Sequence, residues 1–162
     1  KDSIKIDKSQ IYKTTQGRTV YGGGGIVPDI FVPKDTTGIT SYYIKVLNAG
    51  LFQQFAFKYV DINRAALKKM KDYKQFLRML PPDEELLNDF VQYASQKDVP
   101  ARWYYINQSR DLILSELKAL IARDVFGNSA FYPILNRNDK TIFAALKALN
   151  RHDAAFPIRN SF

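Results

Sequence analysis

Apolar residues recur every third or fourth position from Thr40 onward, whereas before Pro33 they tend to alternate with polar ones. The period changes once, across Pro33 to Gly38, PKDTTG, where proline, glycine and cap-forming residues replace any hydrophobic pattern. Downstream, the spacing predicts a series of helices. Thr40 or Ser41 offers a cap for a helix through Leu47, with Asn48 to Gly50 as its stop. Leu51, Phe52, Phe55, Ala56 and Tyr59 share one face, and Asp61 offers a cap for a separate helix from Ile62 to Met70. A short helix carrying Tyr73, Phe76, Leu77 and Leu80 ends at Pro81-Pro82. Asp83, Glu84 and Glu85 then open a helix whose stripe is Leu86, Leu87, Phe90, Val91 and Ala94, ending at Lys97 to Pro100. The longest helix is expected from about Arg102 to Phe126, with Ile106, Ile113, Leu117, Leu120 and Ile121 inward and Gly127 as the stop, forming the central strut of a bundle. Ser129 opens a short helix with Phe131, Tyr132 and Leu135, and Asp139 a last one with Ile142, Phe143, Leu146 and Leu149.

The first 33 residues read differently. Ile4, Ile6, Ile11 and Tyr12 make a β-rich approach to a turn at Gln16-Gly17, and the four glycines Gly22 to Gly25 make a bend. Ile26, Ile30 and Val32 then read as a short strand leaving that bend, with Val27 held extended by Pro28. Two or three such strands are marginal alone and call for a partner sheet or helix, or for pairing between copies. The expected fold class is therefore α+β, mostly α: a β segment at residues 1–38 followed by a multi-helix domain at residues 39–162.

Composition narrows the classes of function. With 162 residues and 46% hydrophobic content the chain buries a sizeable core and is not a disordered tail. Lys and Arg outnumber Asp and Glu by 24 to 16, so nucleic acid or another anionic surface has to be weighed. The absence of cysteine rules out a disulfide framework and Cys-based metal sites. No apolar run approaches the length that spans a bilayer, and no signal-peptide pattern opens the chain at Lys1.

Several residue groups invite a chemical reading and return a structural one. The glycine run lacks the Gly-Lys-Ser/Thr that opens a phosphate-binding helix; Gly25 leads into Ile26-Val27-Pro28, which opens a strand. Ser115 and Lys118 have the Ser-x-x-Lys spacing of penicillin-binding proteins, but fall mid-helix without the companion Ser-Asp-Asn and Lys-Thr-Gly motifs. His152 is the sole histidine, with no Gly-x-Ser-x-Gly serine to serve and no second ligand for zinc, so it reads as a surface residue. Asp83, Glu84 and Glu85 suit a helix start better than a pair of catalytic carboxylates. Lys58 to Arg78 holds seven basic residues interleaved with Tyr59, Tyr73 and Phe76, a composition able to hold single-stranded nucleic acid. Its aromatics nevertheless sit at core spacing, and Lys68, Lys69 and Lys71 do not share a helical face, which gives a solvated outer surface. No cofactor or metal is implied.

The stretch Thr14 to Pro33, with its approach, resembles the C-terminal processing (tail-specific) serine peptidases. In that family a tyrosine-threonine-proline-serine-glycine-arginine turn precedes a glycine-rich bend and Gly-Ile-x-Pro-Asp. Tyr12, Thr14, Gly17 and Arg18 match the first part; Gly25, Ile26, Pro28 and Asp29 match the second. Thr15 stands where proline is usual, and the glycine run is longer than the usual bend. The resemblance covers about the first fifth of the chain; the helical remainder is a looser match to tails that some of these peptidases carry. It implies that these eight residues have structural roles and that the catalytic Ser, in a Gly-x-x-Ser-Ala-Ser segment, and its Lys lie upstream of Lys1, with a peptide-binding PDZ module earlier still. In the parent, a neutral lysine would act as general base toward serine, and cleavage would pass through an acyl-enzyme.

The resulting expectation is the C-terminal portion of a bacterial periplasmic or envelope endopeptidase, inactive by itself. Its helices would shape substrate access or bind an adaptor or a second protomer, and its partners would be protein or peptide substrates reached through the parent. An alternative of a different class is a stand-alone basic helical interaction module whose 58–78 stretch contacts an acidic partner or nucleic acid.

Overall fold

Residues 106, 113, 117, 120 and 121 recur on one side of a helix, and a stripe so long can be covered only by several neighbours. In a computed structural model, which describes residues 10–15, 17, 19–22 and 30–150, that helix runs Trp103–Phe126 and all five side chains are buried. The chain divides into two compact units, Lys34–Phe143 and Lys1–Pro33 with Ala144–Phe162. Seven α-helices and one two-stranded antiparallel sheet are present among the described residues, 69% of which are helical, so the fold is α+β and mostly α.

Within the unit Lys34–Phe143 the helices are α1 (Ser41–Asn48), α2 (Leu51–Leu67), α3 (Tyr73–Met79), α4 (Asp83–Ser95), α5 (Trp103–Phe126) and α6 (Asn128–Leu135), followed by a 3-10 turn at Asn136–Asn138. Helix α5 packs against α1, α2, α3, α4 and α6, which makes it the strut that its length predicts. The α1, α2 and α4 faces meet in an aromatic cluster. Phe52 stacks on Phe90 at 5.0 Å between ring centres, Phe55 meets Phe90 edge-on at 5.5 Å, and Tyr43 lies 5.5 Å from Phe52. Such pairs add about 0.5–1.5 kcal/mol each beyond the area they bury. The predicted α4 stripe, Leu86, Leu87, Phe90, Val91 and Ala94, is buried throughout.

Three boundaries differ from the sequence expectations. Asp61 caps nothing: α2 continues through it to Leu67, and its carboxylate instead accepts from Arg64 at 2.9 Å, one turn on. An exposed Asp is tolerated inside a helix when no Gly or Pro interrupts the backbone. Ser129 lies within α6, which starts at Asn128 after Gly127, and the face that α6 buries is Ala130 and Ile134 while Tyr132 is exposed. Ile30 to Val32 form no strand, and the only described strands, β1 (Ile11–Lys13) and β2 (Thr19–Tyr21), pair with each other. Helix α7 (Lys140–Asn150) begins as expected at Asp139, whose Oδ1 accepts from the backbone of Thr141 at 2.7 Å and Ile142 at 3.2 Å. None of its residues is buried.

The join between the 34–40 segment and the bundle is closely specified. Thr40 caps α1 by accepting from Tyr43 N, and its Oγ1 lies 2.6 Å from Ser109 Oγ on α5. Ser109 donates to the Gly38 carbonyl at 2.6 Å, which leaves Thr40 as the donor to Ser109. Gly38 has φ +84°, and a Cβ there would sit 2.9 Å from the Gln108 carbonyl oxygen, so no other residue fits without a backbone shift.

Candidate functional site

The motif-bearing hairpin is built by an antiparallel register that sets Ile11 opposite Tyr21, Tyr12 opposite Val20 and Lys13 opposite Thr19. The turn between the strands is closed by Gly17 N donating to Thr14 O at 2.8 Å, and Gly22 N donates to Gln10 O at 2.8 Å at the open end. Gly22 also lets the Tyr12 ring lie against the backbone: a Cβ there would meet the ring at 2.7 Å. Tyr12, Thr14 and Gly17 are therefore gathered at one hairpin, as their spacing requires. Ile11 and Tyr12 are 54% and 58% exposed, so among the described residues the strands cover no core of their own. Arg18, Gly25, Ile26, Pro28 and Asp29 lie outside the described residues, as do His152 and the tail from Ala154 to Phe162.

In the helical unit, Ser115 and Lys118 lie near the middle of α5, half-buried, and among the described residues no hydrogen bond joins them. Lys118 Nζ instead holds Asp83 Oδ1 at 2.6 Å, and Arg110 pairs with Glu84 at 2.6 Å. The acidic triplet lies in the first turn of α4, the helix-start position expected of it, and two of its members, Asp83 and Glu84, also tie that helix to α5. Groups of three or more residues able to hold a metal are absent among the described residues. No described helix is long and apolar enough to cross a membrane.

The 58–78 stretch is spread over three local settings rather than one face. Lys58 Nζ sits 5.3 Å above the Tyr93 ring, Arg64 is bonded to Asp61, and Lys68, Lys69 and Lys71 are exposed around the turn after α2. Tyr59 and Tyr73 are half-buried against the core and Phe76 is fully buried, so these rings are not presented as a stacking platform.

Two concavities among the described residues of this unit are wide enough to consider as sites. A cleft of about 320 Å3 between α2 and α4 is lined by Phe55, Tyr59, Ile62 and Tyr93 together with Lys58 and Asp89. A larger cavity, about 570 Å3, has a floor supplied by one stripe of α5, Asp111, Leu114, Ser115 and Lys118. Tyr73, Lys74 and Leu77 of α3 line it too, with Pro133, Ile134 and Arg137 supplied by α6 and the turn that follows. Sequence reading did not find this cavity. Its only signal was the polar residues Asp111, Ser115 and Lys118 recurring at helical spacing along α5.

Ionisable groups near the α1–α5 contact, Glu116 and Tyr42 among them, are shifted by burial. Glu116 is pushed above the ordinary carboxylate range by loss of water, opposed by Arg123. The Tyr42 phenol is pushed up to about 12 by burial, and its hydroxyl has no hydrogen-bond partner among the described residues. Neither residue lines the larger cavity, and both are explained by packing.

No curated protein and no solved structure matches the chain. Residues 42–127, just over half of the 162, do match a protein family described as a family of unknown function, DUF8443. That match spans α1, from its second residue, through α5 and the Gly127 stop, so the chain belongs to this family through the core of its helical unit.

Proposed function

We propose that this chain is the C-terminal portion of a C-terminal processing serine endopeptidase, with the catalytic Ser and Lys upstream of Lys1. The helical unit then shapes substrate access or binds a partner, and the 162 residues alone do not hydrolyse peptides. The observation that carries the reading is the ordered set Tyr12, Thr14, Gly17, Arg18, Gly25, Ile26, Pro28 and Asp29. Support comes from the hairpin that gathers the first three around one turn, with exposed apolar residues on strands suited to joining a larger sheet. In such an enzyme the lysine acts as general base only when burial keeps it neutral, and the upstream domain supplies that burial.

The test compares the product of the whole gene with the 162-residue chain. The whole product is expected to label with a serine-reactive fluorophosphonate and to degrade an unfolded protein, and the chain alone to do neither. Serine-reagent-sensitive proteolysis by the chain alone overturns the reading.

A second reading, a basic interaction module, rests on the exposure of Lys68, Lys69 and Lys71. It requires salt-sensitive binding of labelled single-stranded nucleic acid, because phosphate contacts release counterions. Absence of binding at low salt removes it.

A further inference from the structure

We propose that the cavity among α3, α5 and α6 binds a peptide segment that combines acidic and apolar side chains. The inference stands apart from the peptidase reading, since every lining residue lies within Lys34–Phe143. A volume of about 570 Å3 is in the usual range of ligand sites.

The charges in the cavity decide the class of occupant. Of its three cations, Lys118 is already held by Asp83 at 2.6 Å. Lys74 and Arg137 make no ion pair among the described residues; both are exposed and carried by separate elements, α3 and the 3-10 turn. Two unpaired cations carried by different elements suit a carboxylate on an occupant lying in the cavity. The lining also has an apolar share, from Leu77 on α3, Leu114 on α5, and Pro133 with Ile134 on α6. That surface accepts an aliphatic side chain next to the carboxylate.

Asp111 on the floor makes the site unsuited to a bare anion. It is an acid without an ion pair among the described residues, and an inorganic phosphate brings it only repulsion. A peptide brings backbone N–H donors that this carboxylate can accept. The half-buried Ser115 hydroxyl adds a donor and acceptor one turn further along the same stripe. An occupant with acid, apolar and N–H groups in sequence satisfies the lining as a whole.

The test is fluorescence anisotropy of a short labelled peptide alternating glutamate and leucine, titrated with the full 162-residue chain. Saturable binding is expected, weakened about tenfold or more by Lys74→Glu with Arg137→Glu, since charged hydrogen bonds of this kind are removed. Lys97→Glu, an exposed lysine outside both the cavity and the 58–78 stretch, is expected to leave affinity unchanged. If the double reversal proves poorly folded, Lys74→Gln with Arg137→Gln carries the same comparison. No saturable binding, equal binding by the cavity variants, equal binding of a glutamine-leucine peptide, or displacement by inorganic phosphate at the peptide's own concentration would each overturn the assignment.

Discussion

Thr40 Oγ1 and Ser109 Oγ lie 2.6 Å apart although 69 positions separate them in the chain. The pair fastens the start of the helical bundle to its strut, because Thr40 also caps α1 and Ser109 also holds the Gly38 carbonyl. Ser109→Ala leaves the Gly38 carbonyl without its donor and takes from Thr40 its closest partner, and should cost about 1–3 kcal/mol. Thr40→Ala should cost about 1 kcal/mol through loss of the cap. Urea unfolding of the two single variants and the double variant should show a loss smaller than the sum, with a coupling of about 0.5–3 kcal/mol. Strict additivity contradicts the link.

Gly38→Ala tests the same junction through the backbone. The residue needs φ +84° and has the Gln108 carbonyl 2.9 Å from where a Cβ would go. The variant should lose more than ~1 kcal/mol in urea midpoint measurements, against the small gain expected where alanine fits. An unchanged midpoint would mean that the segment does not hold this conformation.

Tyr42→Phe is expected to go the other way. Tyr42 is 1% exposed and its hydroxyl is buried without a partner, so the phenol contributes packing while its oxygen carries a desolvation cost. Removing that oxygen should leave stability unchanged or raise it by about 1 kcal/mol. A loss of similar size would reveal a partner for the hydroxyl.

Glu116 supplies a pH dependence of defined sign. Burial raises its folded-state value above the ordinary 4.5. Between those two values the folded chain binds the proton more strongly than the unfolded chain, so this residue's contribution to stability is greatest in acid and declines as pH rises through the window. Glu116→Gln should flatten that part of the stability profile and be the more stable form relative to wild type at neutral pH. Chemical unfolding from pH 4 to pH 8 checks it, and a wild-type profile that rises across the window more steeply than the variant's contradicts it.

Much of the architecture was legible because long apolar stripes leave little choice. Leu86, Leu87, Phe90, Val91 and Ala94 are compatible with one helical face and little else, and the same holds for the five inward residues of α5. Punctuation was less reliable. Asp61 has the chemistry of a cap but sits inside α2, where continuing the helix keeps every backbone hydrogen bond and its exposed carboxylate meets Arg64. Ile30 and Val32 have strand-forming side chains, yet a strand is a pairing, and sequence does not show whether an edge is present to pair with. The apolar residues of α7 have helical spacing as expected, but Ile142, Phe143, Leu146 and Leu149 are all exposed, since amphipathicity states what a face can bury and not what covers it. The larger cavity was invisible for a similar reason: it exists only where α3, α5 and α6 meet, and no local pattern encodes that meeting.

The hairpin resemblance is the part of the account on which the catalytic proposal depends, and its most direct measurement is the sequence of the coding region immediately upstream of Lys1. The account predicts a Gly-x-x-Ser-Ala-Ser segment followed within a few tens of residues by a lysine, both in frame with the hairpin. A start codon, or an unrelated domain in that position, would contradict it and leave the helical unit to be understood as a binding module in its own right.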